Sequence, residues 1–307
     1  MAGTEGTWGA EGPGASGTGR KPSAPDEGPT SEGTLGKLGV FQPEVPHLAL
    51  SGRPELRYLP IVDIENGRLL GFEALIRWAH PTRGLVGPGE LLPWVEANGM
   101  TSYLGDWVIL QACCEAIRWP SGLQIGINCS FSQVLDGSAR KSIDRAQRET
   151  EINLERVTLE VSERTLGHAE TLRELASIAD MGVHLAIDDV GTGWTSLDEA
   201  SRYRVDTVKI DRVFISELRA ERDINHCIVE ALVDLGHASG MTIVAEGVET
   251  TAQLSLLSEM KVDAAEGFFF TEPLSAKAAK ALANSSEVVR YSLRRAGTLA
   301  AEEGHPE

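Results

Sequence analysis

The chain has 307 residues, 42% of them hydrophobic, enough for a substantial core; a length prior of roughly 150 residues per domain allows two domains, but barrels of about 250 residues fold as one. Its 45 acidic against 28 basic residues give a formal charge of −17, which repels polyphosphate and excludes polymeric nucleic acid as an expected partner, so a small phosphate ligand needs metal ions or a local basic group. Cys113, Cys114, Cys129 and Cys227 form no Cys-x-x-Cys pair and no disulfide framework, and neither a leader pattern nor a run of about eighteen apolar residues occurs, so a cytoplasmic protein without membrane insertion is expected.

Residues 1–45 are dominated by Gly, Pro, Ser, Thr and Glu and carry too few large apolar side chains to offset the entropy of ordering; a disordered tail is expected there. Leu56–Ile64 and Leu69–Trp78 read as strands joined by Glu65-Asn66-Gly67, a turn too short for a crossover helix, so the first two strands are predicted antiparallel. The rhythm then becomes strand and helix, with strands predicted at Gln124–Cys129, Arg156–Val161, Val183–Ile187, Thr207–Ile210, Met241–Ala245 and Ala264–Phe270. Helical spacing separates them, as in Leu172, Leu175, Ile178 and Ala179 before Gly182, or Ile228, Val229, Leu232, Val233 and Leu235 before Gly240. The predicted fold is a single (β/α)8 TIM-like barrel with an antiparallel first strand, spanning about residues 50–290, followed by a flexible C-terminus at 296–307.

In such a barrel the reacting groups sit at the C-terminal ends of strands, where the loops form one mouth. In strand order those ends carry Glu73, Asn128, Glu160 with Glu163, the doublet Asp188-Asp189, Lys209 with Asp211, Glu246 with Glu249, and Glu266. So many carboxylates at one rim repel one another unless cations or protons compensate. Oxygen-only donors favour hard ions, Mg2+ or Mn2+, over zinc. The doublet suits a two-ion centre, with Gly191 and Gly193 just beyond it, and two ions suit attack on a phosphodiester. Taken singly, each of these acids reads as a solvated strand end; the set together reads as a metal site.

The same residues carry a resemblance to the EAL domain of cyclic di-GMP phosphodiesterases, over roughly Leu56 to Leu274. The matching stretches are Glu73-Ala74-Leu75-Ile76-Arg77-Trp78, Ile127-Asn128-Cys129-Ser130, Glu160-Val161-Ser162-Glu163, Asp188-Asp189-Val190-Gly191-Thr192-Gly193, Lys209-Ile210-Asp211 and Ala245-Glu246-Gly247-Val248-Glu249-Thr250. The name-giving triplet alone carries no weight, since Glu230-Ala231-Leu232 repeats it inside an amphipathic stretch. The resemblance implies hydrolysis of cyclic di-GMP to linear pGpG. It implies one ion on Glu73, Asn128, Glu160 and Asp188 and a second on Asp188, Asp189 and Glu246. It makes Lys209 the residue that orients the attacking water, with Glu246 and Glu163 as further catalytic candidates. Arg77 would bind a substrate phosphate, while Glu163 would brace the Asp188 to Trp194 loop and Glu249 and Asp211 would support the site from close by. A homodimer formed near Asp189 to Ser196 is implied as well.

Departures from the family pattern fall at Leu59 and Glu266, where Gln is usual, at Val190 for a common Phe, and at Trp194-Thr195-Ser196 for Tyr-Ser-Ser. A hairpin turning at about residue 66 pairs Leu59 with the neighbourhood of Glu73, so Leu59 lines the substrate groove without an amide's hydrogen bonds, a loss on the order of 1 kcal/mol. Glu266 adds negative charge facing metal and phosphate. Leu59, Arg77, Asp211 and Glu266 form the candidate substrate-binding set. The two substitutions leave a second reading open, a domain that binds cyclic di-GMP without cleaving it or serves as a protein-interaction module. His184, His226 and His237 are read as packing or surface residues, Trp78, Trp94, Trp107 and Trp119 as core and helix-packing residues, and Cys129 as a small buried filler with no base near it.

Overall fold

The computed structural model describes residues 52–190, 204–219 and 223–285. The tail at 1–45, the C-terminus at 296–307 and the stretch from Gly191 to Ser196 lie outside the described residues.

Strand β1 (Arg53–Asp63) and strand β2 (Leu69–His80) form the expected antiparallel hairpin. Its turn is held by Asp63, whose Oδ1 accepts the Asn66 amide at 3.1 Å, and by Asn66, whose Oδ1 accepts the Arg68 amide at 2.9 Å. A turn pinned this way sets the register, and Leu59 stands directly opposite Glu73. The short strand β3 (Gly84–Val86) then folds back on the outer end of β2, pairing Trp78 with Val86 and His80 with Gly84. It has too few residues to show alternation in the sequence.

Helices α1 (Pro88–Ala97) and α2 (Thr101–Ala116) carry the chain to β4 (Gln124–Cys129). Next come α3 (Phe131–Leu135), α4 (Ser138–Thr150), β5 (Val157–Ser162), a 3-10 turn at Glu163–Gly167, α5 (Ala169–Ala179) and β6 (His184–Val190). The last part holds β7 (Thr207–Ile210), α6 (Arg212–Ser216), α7 (Ile224–Ala238), β8 (Thr242–Ala245), α8 (Thr251–Glu259), β9 (Ala264–Ala265) and α9 (Ala276–Asn284).

The sheet runs β1-β9-β8-β7-β6-β5-β4-β2-β3, and the additional β1–β2 pairing closes it into a ring with β3 as an appendage. All pairings from β2 through β4 to β9 are parallel, while β1 is antiparallel to both of its neighbours. This is the (β/α)8 barrel with an irregular first strand. Val157, Leu159, Val208, Ile243 and Phe72 are fully buried in its walls, and outside β2 the ring of Trp119 lies 4.7 Å from Phe72 and 5.6 Å from Tyr58. Trp78 and Trp107 are buried and Trp94 half-buried, as expected of packing residues.

The final strand is shorter than Ala264–Phe270. The chain leaves the sheet after Ala265 because the Glu266 carbonyl accepts the Val248 amide at 3.0 Å and Gly267 takes φ 150°, with the Val248 backbone only 2.3 Å from where a Cβ would stand. Phe268, Phe269 and Phe270 follow in a turn, and Phe268 is exposed. Their aromatic run imitates a strand, but the close approach at Gly267 overrides it.

Two helices that start just beyond site-bearing strands are capped by the same chemistry. Ser130 and Gln133 form a reciprocal capping box on α3, and Thr250 and Gln253 form another on α8. Gln253 is buried and does more than cap. Its Oε1 accepts the Glu249 and Thr250 amides at 2.9 Å, and its Nε2 donates to the Ile215 carbonyl at 3.0 Å, tying the loop after β8 to the helix after β7.

Candidate active site

The strand ends converge on Lys209. This residue points inward from β7, is 2% exposed, and places its Nζ 2.8 Å from Glu246 Oε1, 2.9 Å from Glu160 Oε2, 3.0 Å from Glu266 Oε1, 3.5 Å from Glu73 Oε2 and 4.0 Å from Asp188 Oδ1. Burial opposes the ammonium charge, but Glu160, Glu246, Glu266 and Glu73 together hold its pKa well above the usual lysine value. Lys209 is therefore a charged hub, and one positive charge faces several negative ones.

The excess shows in the carboxyls. Burial first, then the charges of Glu73 and Asp188, raise Glu160 to about 8 against the pull of Lys209. Burial and neighbouring acids also push Glu246 and Glu266 well up, again against Lys209. Burial, then Asp188 and Asp211, raise Asp189 to about 6. A site that must take up protons to relieve its own repulsion is one that a divalent cation stabilises.

Asp188, Asp189 and Glu246 offer oxygens that all lie within 4.8 Å of one another, the geometry a hard cation requires. Consecutive strand residues normally face opposite sides of a sheet, so both aspartates meeting at one mouth needs a local break. The pairing supplies it: Ile187 opposes Val208 and Val190 opposes Ile210, leaving one extra residue in β6, and Asp189 takes φ 57°. The bulge turns Asp189 toward Glu246, and the Asp188 Oδ1 accepts the Asp189 amide at 2.9 Å to hold the turn.

Glu73 and Asn128, expected on the other ion, are in contact, the Asn128 Nδ2 donating to Glu73 Oε1 at 2.5 Å. Rotating that amide would present its oxygen instead. Glu160 reaches Lys209 from the next strand through a gap opposite Gly126, where a Cβ would stand 2.0 Å from Glu160 Oε1. Glu73, Asn128, Glu160, Asp188, Asp189 and Glu246 thus share the mouth, with Glu73 and Glu160 drawn onto Lys209.

The supporting residues divide. Glu163 is buried at the start of the 3-10 turn after β5; the loop it was expected to brace lies beyond Val190, outside the described residues. Asp211 caps α6, its Oδ1 accepting the Val213 amide at 2.7 Å, and also bears on Asp189. Glu249 is exposed and enters the local structure through its backbone amide. Arg77 lies half-buried at the outer end of β2, its Nη1 donating to the Ile76 carbonyl at 2.8 Å. Burial lowers its pKa, with Glu73 opposing and Arg57 adding to the shift. Leu59 is buried beside Glu73, as the hairpin register requires. Cys129 is buried and its thiol is pushed up to about 12, which leaves it a filler and not a nucleophile.

Glu266 keeps one oxygen on Lys209, while its Oε2 is buried with no hydrogen-bond partner in the protein. Protonated, it has one donor and one acceptor oxygen, much as an amide has both functions. Glu266→Gln should therefore keep the Lys209 contact without needing the proton. In an assay of cyclic di-GMP cleavage, the reaction the family resemblance implies, the variant is expected to gain more at high pH than at low pH, because burial and neighbouring acids hold the Glu266 pKa well above its usual value. A fall at both pH values would mean that Glu266 has become a ligand.

The structure is thus a closed (β/α)8 barrel whose mouth gathers acidic oxygens, able to hold a metal ion, around a buried lysine. The chain is a member of the EAL domain family, which it matches over residues 45–273. Its relatives include the bifunctional diguanylate cyclase/cyclic di-GMP phosphodiesterase MucR of Pseudomonas aeruginosa, 37% identical over 228 residues that cover 72% of this chain and 33% of MucR. The cyclic di-GMP phosphodiesterase NbdA of the same organism is 35% identical over 227 residues, covering 72% of this chain and 29% of NbdA. This chain therefore spans about a third of the length of those relatives. Among solved structures, the PaMucR phosphodiesterase in complex with c-di-GMP superposes with a TM-score of 0.70 at 36% identity, covering 73% of this chain and 93% of that one. An EAL domain protein of Listeria monocytogenes gives 0.68 at 30% identity, covering 74% and 91%.

Proposed function

We propose that the chain is a metal-dependent phosphodiesterase that opens one phosphodiester bond of cyclic di-GMP to give linear pGpG. The observation that carries this reading is the gathering of Asp188, Asp189 and Glu246 beside the Lys209 hub, in a chain that is similar to named cyclic di-GMP phosphodiesterases. The oxygen-only donors fit two Mg2+ or Mn2+ ions, one on Glu73, Asn128, Glu160 and Asp188 and the other on Asp188, Asp189 and Glu246. When bound, such ions activate water near neutral pH and neutralise charge on the phosphate.

The chain's own groups do the rest. Lys209 keeps its proton and directs an N–H toward the attacking oxygen, and Arg77 holds a phosphate of the substrate at the mouth. Glu246 links Lys209 to the aspartate pair, so that the nucleophile's position and the ligand cluster move together. Glu163 and Glu249 act as supporting residues close to the site, and Leu59, Asp211 and Glu266 line the groove around the substrate. A homodimer, a cytoplasmic setting, and a barrel at 50–290 between flexible ends belong to the same proposal. Among the described residues no helix is long and apolar enough to cross a membrane.

Purified protein incubated with cyclic di-GMP and Mg2+ or Mn2+, followed by separation of the nucleotides, is expected to yield pGpG. Nucleotide bound and returned intact would replace the enzyme by a binding module, a reading supported by Leu59 and by the charge of Glu266 beside Lys209. Calorimetry without any nucleotide affinity in the presence of metal would leave only an interaction scaffold.

A further inference from the structure

The inner wall formed by β1 and β2 extends beyond Leu59 toward the mouth. Arg57 stands opposite Leu75 and Glu55 opposite Arg77, in the same unbroken register that sets Leu59 opposite Glu73. Residues paired across two strands share a face, as do residues two apart along one strand, so Glu55, Arg57 and Leu59 line the wall that bears Glu73 and Arg77. Tyr58, between them, turns outward to Trp119.

Arg57 is only partly satisfied in that position. Its Nη2 pairs with Glu55 Oε1 at 2.7 Å, its side chain is 25% exposed, and its Nε is buried with no hydrogen-bond partner. It also lies near enough to Arg77 for the two positive charges to be felt. Elsewhere the mouth is dominated by carboxylates, so two guanidinium groups on one stretch of wall mark a local reversal of sign. A planar fork with a spare donor matches an anionic diester, whose paired oxygens accept two parallel N–H groups. Leu59, one inward position deeper, can make no polar contact.

We propose that Arg57 is an affinity-determining residue of the substrate groove, binding the phosphodiester anion beside Arg77, with Glu55 as the internal competitor that holds it when no ligand is present. The inference rests on the proposed activity. A ligand phosphate must displace the Glu55 carboxylate, so the two residues act on affinity with opposite signs. Because the attraction is between charges at a half-open mouth, added salt weakens it.

The test uses the full chain, with calorimetry of cyclic di-GMP in EDTA and initial rates with Mg2+ or Mn2+. Arg57→Gln is expected to raise Kd and KM about tenfold, with the loss falling on KM and not on kcat, and to flatten the dependence on salt. Arg57→Lys should recover part of the affinity, and Glu55→Gln should tighten binding severalfold. Wild-type affinity in Arg57→Gln, or an equal loss in Glu55→Gln, would overturn the inference and leave the pair a structural salt bridge. Wild-type protein that binds no cyclic di-GMP overturns the proposed activity and this inference with it.

Discussion

Lys209→Met is expected to lower turnover of cyclic di-GMP by about 10²–10³-fold and to destabilise the metal-free protein at pH 8 by on the order of 3–5 kcal/mol. Methionine keeps much of the stem's volume, so the packing of β7 survives and the change is chiefly the loss of one charge and its donors. What remains is Glu160 and Glu266, each 2% exposed, with Glu246 and Glu73 close by and nothing positive between them. Such groups respond by holding protons, which makes the deficit depend on pH. The folded-state pKa of Glu160 is about 8 even with Lys209 in place, against an ordinary 4.5. Its contribution to stability is full below about 4.5 and is lost as pH rises through 8, and removing Lys209 deepens that loss. Urea melts at pH 5 and pH 8.5, beside initial rates, check both halves. A variant as stable as wild type at pH 8.5 would show that the carboxyls are already neutral there, and an undiminished rate would remove Lys209 from the reaction.

How far this centre was legible in the sequence depends on whether a feature is local or made by two strands. The Leu59–Glu73 pairing was readable because a short turn at Asn66 fixes the register of everything beyond it. The alternation of strand and helix, and the identity of the acids at the strand ends, were readable for the same reason: each is a property of one segment. Strand β3 was not, since its three residues hold no period and Leu85 is exposed. Nor was the end of β9, where the Phe268–Phe270 run has strand chemistry but Gly267 lets the chain pass against Val248. The bulge at Asp189 could be inferred only from its consequence, two neighbouring aspartates with one job. Lys209 reads from the sequence as a strand-end residue, yet its standing as the hub depends on distances to the ends of five other strands. The meaning of Arg57 is not local either: it comes from facing the mouth two residues from Leu59, a relation carried by the hairpin register.

Asp188→Asn should move stability in the other direction. The amide oxygen can still accept the Asp189 amide and keep the bulge, while the charge that raises Glu160, Asp189 and Glu246 disappears. The metal-free variant is expected to be more stable than wild type by about 1 kcal/mol, the worth of roughly one pKa unit. The gain should be small at pH 5, where Asp189 and Glu160 already carry protons, and should grow as pH rises through about 6 and then about 8. Divalent metal reverses the ranking. An ion at a hundred times its Kd stabilises a folded protein by about 2.7 kcal/mol, and wild type should gain on that scale from Mg2+ or Mn2+ at pH 8. The variant, short of a charged oxygen in the Asp188, Asp189 and Glu246 cluster, should gain little and lose turnover by at least about a hundredfold. Thermal melts of both proteins with and without metal, at pH 5, 7 and 8.5, test this crossover. Equal metal-induced shifts would place the ion away from Asp188, whereas a variant less stable than wild type without metal would mean that Asp188 holds the bulge through its charge and does not strain it.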